Sequence, residues 1–127
     1  MAAVAVAARE APELARAYLT IERGAGETVF KGRGVSPWTG LDAALYGNST
    51  PRLVAAGGGR IWSPFFRDLD AAIVAEAKSL GLTVIPWTVN DVADMDRLLG
   101  WGIDGLITDY PDRARSVLAA KAIAIGR

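Results

Sequence analysis

Along the second half of the chain, short continuous apolar runs alternate with stretches in which apolar residues recur at helical spacing. Ile61-Trp62-Ser63-Pro64 is a short apolar run halted by proline, as expected at the end of a buried strand. Leu69, Ile73, Ala77 and Leu80 then fall on one face of a helix over about Asp70 to Leu80. Asp68 or Asp70 can cap its start, and Gly81 stands where a left-handed C-terminal cap is wanted. Leu82 to Val89 is β-branched and apolar on both faces, which predicts a strand inside a parallel sheet.

Asn90 is the candidate N-cap of the next helix, with Asp91 and Asp94 opposing its positive end. Met95, Leu98 and Leu99 form its apolar stripe, and Gly100 or Gly102 ends it. Gly105 to Thr108 predicts another short strand, and Pro111 opens a last helix reaching about Ile125. The first half is less regular. Ala7 to Ala15 predicts a helix limited by Pro12, Arg16 to Ile21 a strand, and Leu41 to Tyr46 a short helix. Between the last two, Glu22 to Gly40 holds five of the fourteen glycines plus Pro37, so it reads as a long loop of the kind that carries function. Gly57-Gly58-Gly59 is a tight connection into the next strand.

Four strand candidates result. Trp62 to Trp87 is 25 positions and Trp87 to Thr108 is 21, the spacing that a βα unit with a crossover helix needs. A whole (β/α)8 barrel takes about 250 residues. The 127 residues of this chain have room for about half of one.

Composition narrows the chemistry. The chain is 51% apolar, which fits a globular fold. Fourteen basic residues balance fourteen acidic ones without long runs of either sign, which points away from nucleic acid and anionic membranes as partners. There is no cysteine, hence no disulfide framework and no thiolate nucleophile. There is no histidine either, which excludes a Ser–His–Asp triad, a Cys–His pair and any His-bearing zinc site. Met1 to Arg9 has no basic leader, so a signal peptide is not expected, and no stretch approaches transmembrane length. A cytoplasmic location is the default.

Two segments point to a family. One is Gly81 to Asp91, reading Gly-Leu-Thr-Val-Ile-Pro-Trp-Thr-Val-Asn-Asp. The other is Gly102 to Asp112, reading Gly-Ile-Asp-Gly-Leu-Ile-Thr-Asp-Tyr-Pro-Asp. Together they resemble the last two βα units of glycerophosphodiester phosphodiesterases. Ala17 to Thr20 and Ile61 to Pro64 resemble the preceding strands of the same enzymes.

The resemblance implies an α/β fold, a partial TIM (β/α)8-type barrel of about four βα units. They would be strands five to eight, with residues 1–127 as the C-terminal half of the catalytic domain. The substrate it implies is a small-molecule phosphodiester, hydrolysed to glycerol 3-phosphate and an alcohol. Trp87 and Asn90 would lie at the barrel mouth after the seventh strand, Thr108 and Asp109 after the eighth. Trp87 would line the glycerol or alcohol moiety with its ring and offer an indole donor; packing inside the barrel is the alternative. Asn90 is either a substrate ligand or an N-cap. Asp109 reads as structural, because a carboxylate beside a phosphodiester repels it.

The family's working groups are an early His-Arg-Gly, a Glu-x-Asp pair, a second histidine and a later glutamate, which transfer protons and hold a divalent cation, Ca or Mg. None of these segments is matched here, so no catalytic residue and no metal ligand is assigned, and the isolated chain is expected to be inactive. Half a barrel leaves open edges, which implies self-association or pairing with a missing N-terminal half. The competing readings are a non-catalytic α/β module binding a ligand or partner through the same loops, and a free-standing flavodoxin-like domain.

Overall fold

In a computed structural model, residues 17–22, 27–29, 31–32, 34–36 and 40–124 are described, with side chains to residue 120. The helix expected over Ala7 to Ala15 lies outside the described residues. Strands β1 (Ala17–Thr20), β2 (Ile61–Pro64) and β3 (Thr83–Val84) stand side by side in chain order, all parallel. The register sets Tyr18 beside Trp62 and Trp62 beside Val84, and all three are fully buried on one face of the sheet. Side chains alternate along a strand, so the residues between them face the other way. Leu19 is 53% exposed there.

The buried face holds its polar atoms by pairing them. Trp62 Nε1 donates to Thr20 Oγ1 at 2.9 Å, and the Tyr18 hydroxyl donates to the Gly57 carbonyl at 3.1 Å. Tyr18 packs so closely under the glycine turn that a Cβ at Gly59 would sit 2.6 Å from its ring and 2.7 Å from Val54. Gly59→Ala is therefore expected to cost about 1–3 kcal/mol by overpacking, read as a lower urea midpoint.

The expected strand over Leu82 to Val89 is shorter in regular form but longer in its pairing. Ile85 N donates to the Trp62 carbonyl at 2.9 Å and Trp87 N to the Pro64 carbonyl at 3.0 Å, so the β2 side of the ladder continues past Val84. The other side differs. Gly105 to Thr108 is not a regular strand, although it runs alongside. Asp104 N reaches the Val84 carbonyl and Ile107 N the Pro86 carbonyl, each at 2.9 Å. Pro86 has no N–H to return, so a rung is lost and the regular ladder breaks at that point.

Four α-helices cover the sheet among the described residues: α1 (Thr50–Ala56), α2 (Ala71–Ser79), α3 (Val92–Gly100) and α4 (Pro111–Ala124). Asp70, rather than Asp68, caps α2, its Oδ1 accepting from Ile73 N at 2.8 Å, and Gly81 past its end takes φ 78°. The short helix expected over Leu41 to Tyr46 is a single 3-10 turn, Ala43–Tyr46, capped by Asp42. Val74, Ala77, Met95, Leu98, Ile103 and Val117 join the sheet's buried face in one core.

At the opposite end of the sheet from the candidate site, Asp104 ties α2 to β3. Lys78 Nζ lies 2.6 Å from Asp104 Oδ1, and Val84 N donates to Oδ2 at 2.8 Å. Partial burial pushes the Asp104 carboxyl up. The Lys78 hydrogen bond and charge and the Val84 amide outweigh it, so the group ends below the ordinary value of 3.8. A carboxylate with a lowered native pKa stabilises the fold above its unfolded value and stops doing so as pH falls through the native one. Asp104→Asn is thus expected to lower the melting temperature at neutral pH, with the gap to wild type closing in acid below about pH 4. Thermal melts across pH check it.

Candidate functional site

The carboxyl ends of β1, β2 and β3 and the end of the 104–107 segment open into loops on one rim of the sheet. Trp87 stands on that rim, half-buried, with its ring 5.3 Å from Phe65 and tilted 46° to it. Phe65 meets Phe66 edge-on at 5.4 Å. The Trp87 indole N–H, expected from sequence as a donor for substrate, donates instead to the Ser63 carbonyl at 2.9 Å. That bond fixes the ring's orientation and leaves its apolar face as the part able to meet a ligand.

Asn90 is not the N-cap of α3. Asp91 holds that position, without a side-chain capping bond. Asn90 faces across to the next loop instead. Its Oδ1 accepts from Asp109 N at 3.0 Å and from Thr108 Oγ1 at 3.2 Å, and its Nδ2 donates to Asp109 Oδ2 at 3.2 Å. Arg113 NH1 donates to the Asn90 carbonyl at 3.0 Å, and its guanidinium lies 3.9 Å from the Tyr110 ring centroid. Thr108 Oγ1 accepts in turn from Tyr110 N at 3.0 Å, closing the turn into α4. One amide thereby locks the loops that follow the last two sheet segments, and Asp109 is held in that lock.

A third group was not singled out by sequence. Glu22, two residues past β1, has a side chain only 9% exposed and is paired with Lys31. Its Oε1 also accepts from Thr50 Oγ1 at 3.0 Å, while its backbone N–H donates to Asp68 Oδ2 at 2.9 Å. A cavity of about 370 Å³ opens beside it, bordered by Lys31, Arg67, Asp68 and Ile73. The signal in the sequence was a carboxylate placed directly after a strand, at the head of a glycine-rich loop carrying a lysine. Among the described residues, no group of three or more His, Cys, Asp or Glu is placed to hold a metal ion. No helix among them is long and apolar enough to cross a membrane.

Parallel βα units in chain order, with polar loops gathered at the strands' carboxyl ends, define an α/β architecture of the kind enzymes use. Residues 34–113 match the model of the glycerophosphoryl diester phosphodiesterase family, and the chain belongs to that family of hydrolases. The flavodoxin-like reading is thereby displaced. A glycerophosphodiester phosphodiesterase of Bacillus subtilis strain 168 is 47% identical over 49 residues, covering 39% of this chain and 17% of that protein.

A Silicibacter pomeroyi protein assigned as a glycerophosphoryl diester phosphodiesterase superposes with TM-score 0.72 at 34% identity, over 94% of this chain and 35% of that one. An Oleispira antarctica phosphodiesterase, solved with the product sn-glycerol-3-phosphate, shares the fold at TM-score 0.62 and 20% identity, covering 92% of this chain and 38% of its own. The chain thus spans about a third of its solved relatives and less of its curated ones.

Proposed function

We propose that this chain forms strands five to eight of a (β/α)8 phosphodiesterase barrel and supplies the substrate-side wall of the site. The reaction is hydrolysis of a glycerophosphodiester to glycerol 3-phosphate and an alcohol. The observation that carries this reading is the rim itself: Trp87, held by the Ser63 carbonyl, and the loops locked by Asn90 stand together at the strands' carboxyl ends, where barrel enzymes place their sites. The Oleispira relative, bound to sn-glycerol-3-phosphate, supports that ligand class.

Each residue then has a limited task. Trp87 presents an apolar ring against the glycerol or alcohol portion. Asn90 serves the substrate by holding its two loops in place, since both of its side-chain polar atoms are engaged within the protein. Cleaving a phosphodiester requires that the phosphoryl charge be neutralised and the leaving alkoxide protonated. The sequence has no histidine, and among the described residues no cluster is placed to hold a metal ion, so the groups that the family uses for these two tasks are not matched in this chain. The divalent cation that the family resemblance implies, Ca or Mg, does not fit the residues described, so no step is assigned to it here.

Titrating the chain with glycerol 3-phosphate tests the wall. Binding is expected in the millimolar range or tighter, weakened about tenfold or more by Trp87→Ala through loss of the ring's contact area. Equal affinity of the two chains would remove Trp87 from the site.

A further inference from the structure

Arg67 is a cation on the rim that the fold leaves without an acceptor among the described residues. Its neighbours on the rim are engaged: Lys31 pairs with Glu22, Arg52 Nε lies 3.6 Å from Glu76 Oε2, and Arg113 donates to the Asn90 carbonyl at 3.0 Å. Arg67 is exposed, three residues past β2 on the turn that leads into α2. Its guanidinium lies 5.5 Å from the centroid of the Phe66 ring, and no described carboxylate or carbonyl pairs with it. Attraction to the ring holds the side chain without consuming any of its five N–H donors.

The cavity of about 370 Å³ that Arg67 borders is in the size range of small-ligand sites. Its carboxylates already serve the protein. Glu22 holds Lys31 and Thr50, Asp68 accepts from the Glu22 amide at 2.9 Å, and Asp70 caps α2 through the Ile73 amide at 2.8 Å. The positive end of α2 also opposes the Asp70 charge. Arg67 therefore supplies uncommitted donors at this cavity.

The two residues before Arg67 join it to the aromatic part of the rim. Phe66 N donates to the Trp87 carbonyl at 2.9 Å, and the Phe65 ring meets Trp87 at 5.3 Å. Apolar ring surface and an unpaired guanidinium thus come from adjacent positions of one turn. A short polyol phosphate has the complementary make-up, carbon at one end and anionic oxygens at the other.

We propose that Arg67 binds the phosphoryl group of the ligand whose glycerol or alcohol part meets Trp87. The inference rests on the phosphodiesterase reading of the rim. A guanidinium fork meets two phosphate oxygens at once, which an ammonium group does not. In this role Arg67 holds and orients the phosphate, and it moves no proton because its charge is permanent.

NMR titration of the full chain with inorganic phosphate and with glycerol 3-phosphate tests this. Both are expected to shift the Arg67 Nε–H signal. Arg67→Ala is expected to weaken glycerol 3-phosphate binding tenfold or more, and Arg67→Lys to recover part of that loss by returning the charge without the fork. Arg60→Ala removes another exposed guanidinium, at the amino end of β2, and is expected to change nothing. Added salt should weaken binding to the wild-type chain more steeply than to Arg67→Ala. An unchanged melting temperature of Arg67→Ala shows that the loss is not unfolding. Equal affinity of wild type and Arg67→Ala, an equal loss in Arg60→Ala, or no shift at Arg67 in either titration would each overturn the proposal. Loss of binding in Arg67→Ala but not in Trp87→Ala would remove Trp87 from the site and leave Arg67 in it, and loss in Trp87→Ala alone would do the reverse.

Discussion

Replacing Trp62 by alanine is expected to destabilise the chain by about 3–5 kcal/mol, the range for truncating a fully buried aromatic residue. Typical domains hold only about 5–15 kcal/mol in all, so much of the population should be unfolded in mild urea. The reason is position. Trp62 lies on the middle strand with Tyr18 and Val84 on either side, and every neighbour would face the void. Trp62→Phe separates volume from hydrogen bonding. It keeps an aromatic ring but removes the N–H that Thr20 Oγ1 accepts at 2.9 Å. Leaving that buried oxygen without its donor is expected to cost about 1–3 kcal/mol. Urea midpoints of the two variants check both values, and a Trp62→Ala midpoint within error of wild type would contradict the packing described.

Asn90→Ala is expected to act locally and to cost about 1–3 kcal/mol. It removes three side-chain hydrogen bonds, each worth about 0.5–1.5 kcal/mol, at a partly solvated rim. The loops after β3 and after residue 107 would then separate, and hydrogen exchange at the Asp109 amide should quicken. Asn90→Asp is the sharper variant. It retains an acceptor for the Asp109 N–H but sets two carboxylates face to face, with no donor between them. At neutral pH its protection factor at the Asp109 amide is expected to fall below that of wild type. If neither variant alters protection at Asp109, Asn90 does not hold the loops.

Parts of this structure were legible because their signals are local. Asp70 and Gly81 bracket α2 with side-chain and backbone chemistry that belongs to those residues alone, and the helix falls where they place it. α1 has the same kind of signal, a Ser49 N-cap followed by Pro51, but is only seven residues long, too short for a periodic stripe to show. Other features depend on partners distant in the chain. Glu22 heads the loop that carries Lys31, but its bonds to Thr50 and Asp68 reach 28 and 46 residues along the chain, and its local sequence does not announce them.

Of the two roles expected for Asn90, the helix cap is not the one it takes, for a related reason. It has the right identity and position for a cap, yet the loop carrying Thr108 and Asp109 competes for its amide and wins. The interrupted strand at Gly105 to Thr108 reflects Pro86 on the neighbouring segment, which has no N–H, together with Val84 N, which donates to the Asp104 side chain. Trp87 was picked out by its motif, but which of its atoms stays available was set by Ser63, on another strand.

On the proposed reading, this chain is a wall of a phosphodiesterase site without the catalyst. The most direct test is hydrolysis of a simple glycerophosphodiester by the purified 127-residue chain, followed as release of glycerol 3-phosphate with calcium, with magnesium and with chelator. The expected result is no turnover above the uncatalysed rate under any of the three conditions, alongside measurable binding of glycerol 3-phosphate that Trp87→Ala weakens. Turnover that depends on the cation and disappears with chelator would contradict the claim and place the catalytic groups within these residues.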